Sequence, residues 1–220
     1  MCTFYSPKGE EMKNKEEFIR LYSNIYYYTN RLKGVEYEKS IYEILMDKDD
    51  KNICKSKESL KKCLEWKTGG IFNGDELQVY SSNSKININE VIKAIKNSNI
   101  GEPEDFIKNL LTVNGIAHVY AITLLFFASN GEYPIFDRFA YAALKAIENK
   151  NKIRTLVPND DTNILTNGSE NAHNIYKAYK EYYIKRIEGL FGKSYKTDRR
   201  IDQALWAYGH MFNLNENDID

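Results

Sequence analysis

The sequence predicts an all-α protein with at most one minor β-hairpin. Apolar residues recur every three to four positions along most of the chain, which is the spacing of one helix face. Capping residues and glycines punctuate these stretches, and residues 73–89 are the least helical region between them. A chain of 220 residues suits one compact unit, which we expect to contain two helical lobes around a cleft.

The first half of the chain shows three helical stretches before its one irregular region. Residues 1–14 are expected to be a loose lead-in. Helices are predicted over 15–32, 36–46 and 57–66, with stop signals at Gly34 and at Thr68-Gly69-Gly70. Residues 73–89 could form the small hairpin, and Asn89 is predicted to cap a helix over 90–97.

The second half is predicted to be helical apart from one long polar connection at 155–170 and an acidic tail. Pro103 and the acids around it open a helix that ends at Leu111. Further helices are predicted over 116–128, 138–149, 171–190 and 199–212. We expect residues 89–150 to form a central lobe and residues 15–72 with 171–213 to form the second.

The bulk composition limits the classes of function. Lys plus Arg equal Asp plus Glu at 31 each, so net charge gives no case for nucleic acid or membrane, and any such surface must be local. The longest apolar helix is too short to span a bilayer, and the first residues lack a signal-peptide run, which predicts a cytoplasmic protein. Cys2, Cys54 and Cys63 lack metal-ligand spacing and are expected to be free thiols without a metal, their role open.

The segment 110–144 is where a function can be argued. It joins a tight turn at Asn114 and Gly115, an almost wholly apolar helix, and Asp137 at the start of another helix. The first backbone N–H groups of a helix bind anions, phosphate above all. We therefore expect Asn114, Gly115, Ala117 and His118 to contact a DNA backbone, although any tight αα-hairpin would show the same turn.

The run GIAHVYAITLLFFASNGEYPIFD, from Gly115 to Asp137, resembles the helix–hairpin–helix (HhH-GPD) DNA glycosylase superfamily. Gly115-Ile116-Ala117 lies on the family's G-V-G, Pro134 on its loop proline and Asp137 on its catalytic aspartate. The resemblance covers about 35 residues. It implies two helical lobes with an active site in the cleft, and double-stranded DNA with a flipped base as the partner.

The departures from the family pattern narrow the implied activity. Val119 stands where bifunctional members carry the lyase lysine, so the lyase route is closed, and a shift of one position would put His118 there. Asn114 replaces a proline and Ala117 a glycine of the hairpin. The four-cysteine cluster of the endonuclease III branch is missing, so no iron–sulfur cofactor is expected; the hairpin could hold a monovalent cation.

Asp137 has two compatible interpretations. A carboxylate near the sugar C1′ would stabilise an oxocarbenium-like transition state and orient or deprotonate water. Asp is also a favoured N-cap for the helix that follows. Tyr120, Trp66 and Arg138 could line a pocket, although core packing is the alternative for Trp66. Arg138 could pair with Asp202 or another acid.

Two local basic clusters could follow a DNA backbone or be solvated faces: Lys55, Lys57, Lys61 and Lys62, and separately Lys193, Lys196, Arg199 and Arg200. Three functions are consistent with the sequence. The first is a monofunctional DNA N-glycosylase acting on a modified or damaged base. The second is an inactive nucleic-acid-binding protein on the same scaffold, and the third is an all-α protein with no nucleic-acid role. The base recognised and the oligomeric state stay open.

Overall fold

A computed structural model describes residues 4–5, 11–12, 14–31, 56–79, 84–129, 131–148, 171–193 and 198–214. Within these residues the chain is mostly helical, as predicted, with small antiparallel sheets. No helix among them combines the length and the apolar character needed to cross a bilayer. The predicted helix over 36–46, the connection 155–170, the acidic tail, Cys2, Cys54, Lys55 and Lys196 lie outside the described residues.

The strands are β1 Phe4–Tyr5, β2 Glu11–Met12, β3 Ile71–Asn73, β4 Glu76–Gln78 and β5 Lys85–Asn87. The helices are α1 Lys15–Arg31, α2 Lys57–Thr68, α3 Ile88–Lys96, α4 Pro103–Leu111, α5 His118–Ala128, α6 Arg138–Glu148, α7 Ala172–Ala178, α8 Lys185–Phe191 and α9 Arg199–Leu214. A π turn, Tyr179–Ile184, connects α7 to α8 within one continuous helix.

The chain divides into two compact units of interleaved segments. The terminal unit takes 1–33, 136–168 and 178–220, and the central unit takes 34–135 and 169–177. These bounds differ from the predicted lobes. Helix α2 falls with the central segments rather than with 15–32, and helix α6 falls with the two ends of the chain rather than with 89–135.

A three-stranded antiparallel meander follows α2 in the central unit. Helix α2 ends at Thr68, and the left-handed backbone of its C-cap Gly69 (φ 69°) confirms the predicted stop. Strand β3 begins two residues later. Strand β4 pairs with both β3 and β5, so that Leu77 faces Phe72 on one side and Ile86 on the other. Leu77 and Ile86 are fully buried, which fixes the register of the sheet.

The prediction of at most one minor hairpin was wrong. The meander contains two hairpins, and β1 pairs with β2 inside the segment 1–14 that was expected to be a loose lead-in. Each strand has only two or three residues. Strands of that length are too short to display the alternation of apolar and polar residues by which strands are recognised in a sequence.

The predicted cap of α3 was displaced by two residues. Asn87, in extended conformation, accepts the N–H of Asn89 at 2.9 Å, and the helix begins at Ile88. Asn89 itself donates from its side chain to Asp75 at 2.9 Å. Both asparagines fit the capping signature. Asn87 is the cap because the buried Ile88 is already the first residue of the helix.

The terminal unit has an aromatic core between its helices. Phe18 and Tyr22 of α1 meet Tyr208 of α9 edge to face, with ring centroids 5.1 and 4.8 Å apart. The hydroxyl of Tyr22 is buried with no hydrogen-bond partner among the described residues. Helix α9 approaches α6 so closely that a Cβ at Gly209 would overlap the carbonyl oxygen of Phe139.

The central unit buries one thiol. Cys63 of α2 is 1% exposed and forms no disulfide. Burial raises the pKa of this thiol to about 12, against a smaller lowering by Lys67. The group is therefore a protonated, inert core residue at neutral pH, which agrees with the free thiol expected at this position.

Candidate functional site

The turn between α4 and α5 is shaped by close packing on β5. Gly115 has φ +81°, a conformation that L side chains rarely adopt. A Cβ at this position would lie 2.7 Å from the carbonyl oxygen of Lys85 and 2.9 Å from Cγ1 of Ile86. Glycine is therefore required here by both the backbone conformation and the contact with the sheet.

Helix α5 begins without a side-chain cap. Ala117 occupies the N-cap position in extended conformation (φ −82°, ψ 160°) and has no oxygen with which to accept the first N–H groups. The first turn of α5 also contains no acidic residue. Asn114 and Ala117 are both exposed. These features leave the start of α5 suited to an anion.

The side chains of the first turn of α5 are half-buried. Burial lowers the pKa of His118, so its imidazole is neutral at pH 7 and would contact a phosphate as a hydrogen-bond donor rather than as a cation. Val119 accepts a hydrogen bond from Thr123 through its carbonyl, at 2.8 Å, and its side chain offers no nucleophile. Tyr120 lies in the same turn, half-buried.

Asp137 caps helix α6. Its Oδ1 accepts the N–H of Phe139 at 2.8 Å, and its carbonyl accepts the N–H of Tyr141 at 2.9 Å. The side chain is neither fully buried nor fully exposed. Asp137 is therefore a helix cap. A capping carboxylate can still act on a substrate, so its catalytic role stays a prediction.

Tyr183, which no local sequence pattern connects to Asp137, packs against the residue that precedes Asp137 in the chain. Tyr183 is fully buried, and its ring meets that of Phe136, the neighbour of Asp137, at 5.1 Å. Burial raises the pKa of Tyr183 well above its ordinary value, Tyr179 and Asp137 raise it further, and Arg199 opposes them. In the sequence, Tyr183 belonged only to the apolar stripe of a helix and Arg199 only to a basic cluster, and no local signal connected either to Asp137.

Two of the three predicted pocket residues, Trp66 and Arg138, have ordinary packing partners. Trp66 meets Phe127 edge to face at 6.2 Å, with the ammonium of Lys67 6.0 Å from its ring centroid, which supports the core alternative. Arg138 is exposed, and its guanidinium lies over the ring of Phe139 at 4.7 Å. Trp66, Tyr120 and the residues of the turn belong to the central unit, whereas Asp137 and Arg138 belong to the terminal unit.

No family model matches the chain, and comparisons with curated proteins and with solved structures found no match. The likeness to the glycosylases therefore rests on the motif residues alone. Among the described residues, no group of three or more His, Cys, Asp and Glu side chains could hold a metal ion.

The first basic cluster has an acidic partner. Lys57 pairs with Asp75 at 2.7 Å, and Lys61 lies 3.8 Å from the same carboxylate. The pKa of Asp75 is lowered, chiefly by the hydrogen bond from Lys57 and then by that from Asn89. These contacts tie α2 to the β3–β4 turn, so two of the lysines expected to follow a phosphate backbone already have a counter-charge.

The two arginines of the second basic cluster are paired in the same way. Arg200 donates to both oxygens of Asp198, at 2.8 and 2.7 Å, and this contact lowers the pKa of Asp198. Arg199 pairs with Asp202, and both side chains are mostly buried, at 12% and 13% exposed. Asp202 is thus paired with Arg199 and not with Arg138, for which it was one of the acidic partners considered.

Proposed function

We propose that the chain is a monofunctional DNA N-glycosylase that hydrolyses the N-glycosidic bond of a modified or damaged base, with Asp137 as its catalytic carboxylate. The observation that carries this proposal is the run from Gly115 to Asp137. In it, a left-handed glycine precedes an uncapped helix start, and a carboxylate opens the next helix.

The residues would divide the work as follows. The backbone of Asn114, Gly115, Ala117 and His118 would bind phosphate, since open N–H groups at a helix start favour anions. With the target base rotated out of the duplex, the Asp137 carboxylate would stabilise positive charge at C1′ while water adds there and the base leaves with a proton. Val119 cannot form a Schiff base, so the product would be an abasic site in an intact strand.

Base release from a panel of duplexes tests the proposal. The panel carries oxidised, alkylated, deaminated and hypermodified bases, and hot alkali reveals abasic sites. We expect strand cleavage only after alkali with the natural chain, and a loss of about 100-fold or more in Asp137→Asn. Asparagine is also a good N-cap, so this variant keeps the helix start while removing the charge.

Asp198→Asn is the matched control. Asp198 also precedes a helix, α9, and accepts the N–H of Arg200 at 3.0 Å, so the same substitution is made at an equivalent helix start in the same unit. We expect this variant to release the base at the natural rate. Full activity in Asp137→Asn would exclude the Asp137 mechanism.

The ion pairs of the basic clusters favour a second candidate, a helical protein with no nucleic-acid role. The described lysines and arginines that pair with Asp75, Asp198 and Asp202 offer less charge to phosphate than their sequence suggests. Binding measured from low to high salt separates the candidates. No retention of DNA at low salt would support the second candidate, whereas salt-dependent binding without base release would indicate an inactive binding scaffold.

A further inference from the structure

A column of aromatic rings joins α6 to α9 within the terminal unit. Phe139 of α6 meets His210 of α9 at 3.4 Å between ring centroids, and His210 meets Trp206 at 3.6 Å. The centroids of Phe139 and Trp206 are 6.4 Å apart, so the imidazole lies between these two rings. The buried Tyr26 of α1 packs edge to face with Trp206 at 5.0 Å, so the column continues into the core.

The backbone around the column holds its rings in place. A Cβ at Gly209 would overlap the carbonyl oxygen of Phe139, which brings α6 and α9 into direct contact beside the rings. Nδ1 of His210 lies 3.0 Å from the carbonyl oxygen of Trp206, and since a carbonyl can only accept, Nδ1 is the donor. The N–H of Phe139 is bound by Asp137 at 2.8 Å. The outermost ring is thus positioned by the same helix start that presents the carboxylate.

The second face of Phe139 is covered by an arginine. The imidazole of His210 occupies one face of the ring, so the Arg138 guanidinium, which lies over the ring at 4.7 Å from its centroid, occupies the other. Arg138 is exposed and Phe139 is half-buried. An exposed arginine has several rotamers of similar energy and can move aside. The outer face of Phe139 is therefore a fixed aromatic surface beneath a movable cation.

We propose that this face binds one unpaired nucleobase, which inserts between the Phe139 ring and the Arg138 guanidinium. Aromatic rings and guanidinium planes are the surfaces on which proteins stack unpaired bases. The column behind Phe139 keeps its ring in place, so little order is lost when the base arrives. The choice of DNA as the source of the base rests on the function proposed above.

The charge of Arg138 determines which bases fit. A guanidinium stacked on the base repels a positively charged N-alkylated base and accepts a neutral one. In the proposed mechanism the Asp137 carboxylate faces C1′ of the sugar, so the charge in contact with the base itself is that of Arg138. The substrate class is therefore a neutral modified base, such as an oxidised or deaminated one.

Stacking is tested by the affinity of the full chain for a short, labelled oligodeoxythymidylate, measured by fluorescence anisotropy. We expect Phe139→Leu to bind about 5- to 100-fold more weakly, because leucine fills the space but offers no ring face. Phe72→Leu is the matched control, since Phe72 is also half-buried with a cation, Lys61, 5.5 Å from its ring centroid, and it should bind like the natural chain. Equal affinity in Phe139→Leu, or no binding by the natural chain at low salt, would overturn the proposal.

The charge preference is tested with two strands that differ in one base, adenine or 1-methyladenine, which is cationic at neutral pH. We expect the natural chain to bind the methylated strand about 5-fold more weakly. Arg138→Gln should remove the difference and Arg138→Lys should keep it, and neither exposed substitution disturbs the core if Phe139→Leu does not fold. Lys67→Gln, which removes a cation 6.0 Å from the Trp66 ring, should keep the difference. Equal binding of both strands by the natural chain would overturn the charge preference.

The two proposals fail in different ways. Binding that depends on Phe139, in a chain that releases no base from the panel, would exclude the glycosylase and keep the nucleobase site. Base release that depends on Asp137 and is unchanged in Phe139→Leu would keep the glycosylase and exclude the nucleobase site.

Discussion

Helices α5 and α6 begin in opposite ways. Helix α5 starts after Ala117, which provides no side-chain oxygen, and its first turn carries no acid. Helix α6 starts after Asp137, whose carboxylate accepts the N–H of Phe139. An N-cap typically stabilises a helix by about 1 kcal/mol, so α5 forgoes a contribution that α6 has. An uncapped helix start keeps its backbone N–H groups available to an external anion. A start that is capped by aspartate instead presents a carboxylate.

The largest change in stability is expected from disrupting the turn that leads into α5. Gly115→Ala adds a Cβ at φ +81° and 2.7 Å from the carbonyl oxygen of Lys85. We expect a loss of about 2–5 kcal/mol in the free energy of unfolding, from backbone strain and overpacking together. Urea unfolding followed by circular dichroism measures it.

Gly74→Ala is the control for Gly115. Gly74 also has a positive φ (+62°), but a Cβ there would meet nothing within 4 Å. We expect a loss of only about 1 kcal/mol, from strain alone. Equal losses in the two variants would show that contact with β5 does not determine the glycine at 115.

A smaller effect is expected from removing the cap of α6. Asp137→Ala should destabilise the protein by about 1 kcal/mol, whereas Asp137→Asn should change its stability by only a few tenths, because asparagine retains the capping oxygen. Thermal unfolding of the two variants beside the natural chain gives both values. Equal destabilisation by alanine and asparagine would mean that the charge of Asp137, and not its cap, stabilises α6.

The contrast can also be removed by giving α5 a cap. Ala117 is exposed and already extended, so Ala117→Ser should stabilise the chain by about 0.5–1 kcal/mol. The new hydroxyl would accept the same N–H groups that a phosphate needs, so binding to duplex DNA should weaken. A stabilised variant that binds DNA as tightly as the natural chain would show that these donors are not the phosphate site.

The smallest effect concerns the pH dependence of stability at the same helix start. Burial lowers the pKa of His118 below its ordinary value of 6.5, so the folded state favours the neutral imidazole. The stability from the neutral form is present above pH 6.5 and is lost as the pH falls through the folded-state pKa. As the pH falls below 6.5, we therefore expect the free energy of unfolding to decrease less in His118→Gln than in the natural chain. Urea unfolding at a series of pH values measures both. Parallel losses in both proteins would contradict this.

The sequence predicted the long helices closely because each has several turns of apolar periodicity and clear ends. Helix α1 ends at Arg31 and α9 begins at Arg199, within a residue of expectation. Strands β4 and β5 form the hairpin that was expected within 73–89, whereas β1, β2 and β3 were missed because two or three residues carry no period. The π turn was missed because Tyr179 and Tyr183 have a spacing that an α-helix also brings to one face.

The site was predictable only where its signal is local. The glycine turn and the capping aspartate are adjacent in sequence to the helices that they shape. Contacts between distant parts of the chain are not: folding brings Tyr183 against Phe136, the residue before Asp137, and Lys57 to Asp75. Charge runs in particular mislead, because a sequence shows the cations of a cluster without the distant acids that pair with them.

The buried thiol of Cys63 can report the rate at which the central unit opens locally. With a pKa near 12 and 1% exposure, it cannot react with an alkylating reagent while α2 is packed. In a variant whose other two cysteines are replaced by serine, the labelling rate would therefore report how often this unit opens. Local opening of the central unit would thus appear as an increase in mass, and the fraction of labelled molecules would measure it.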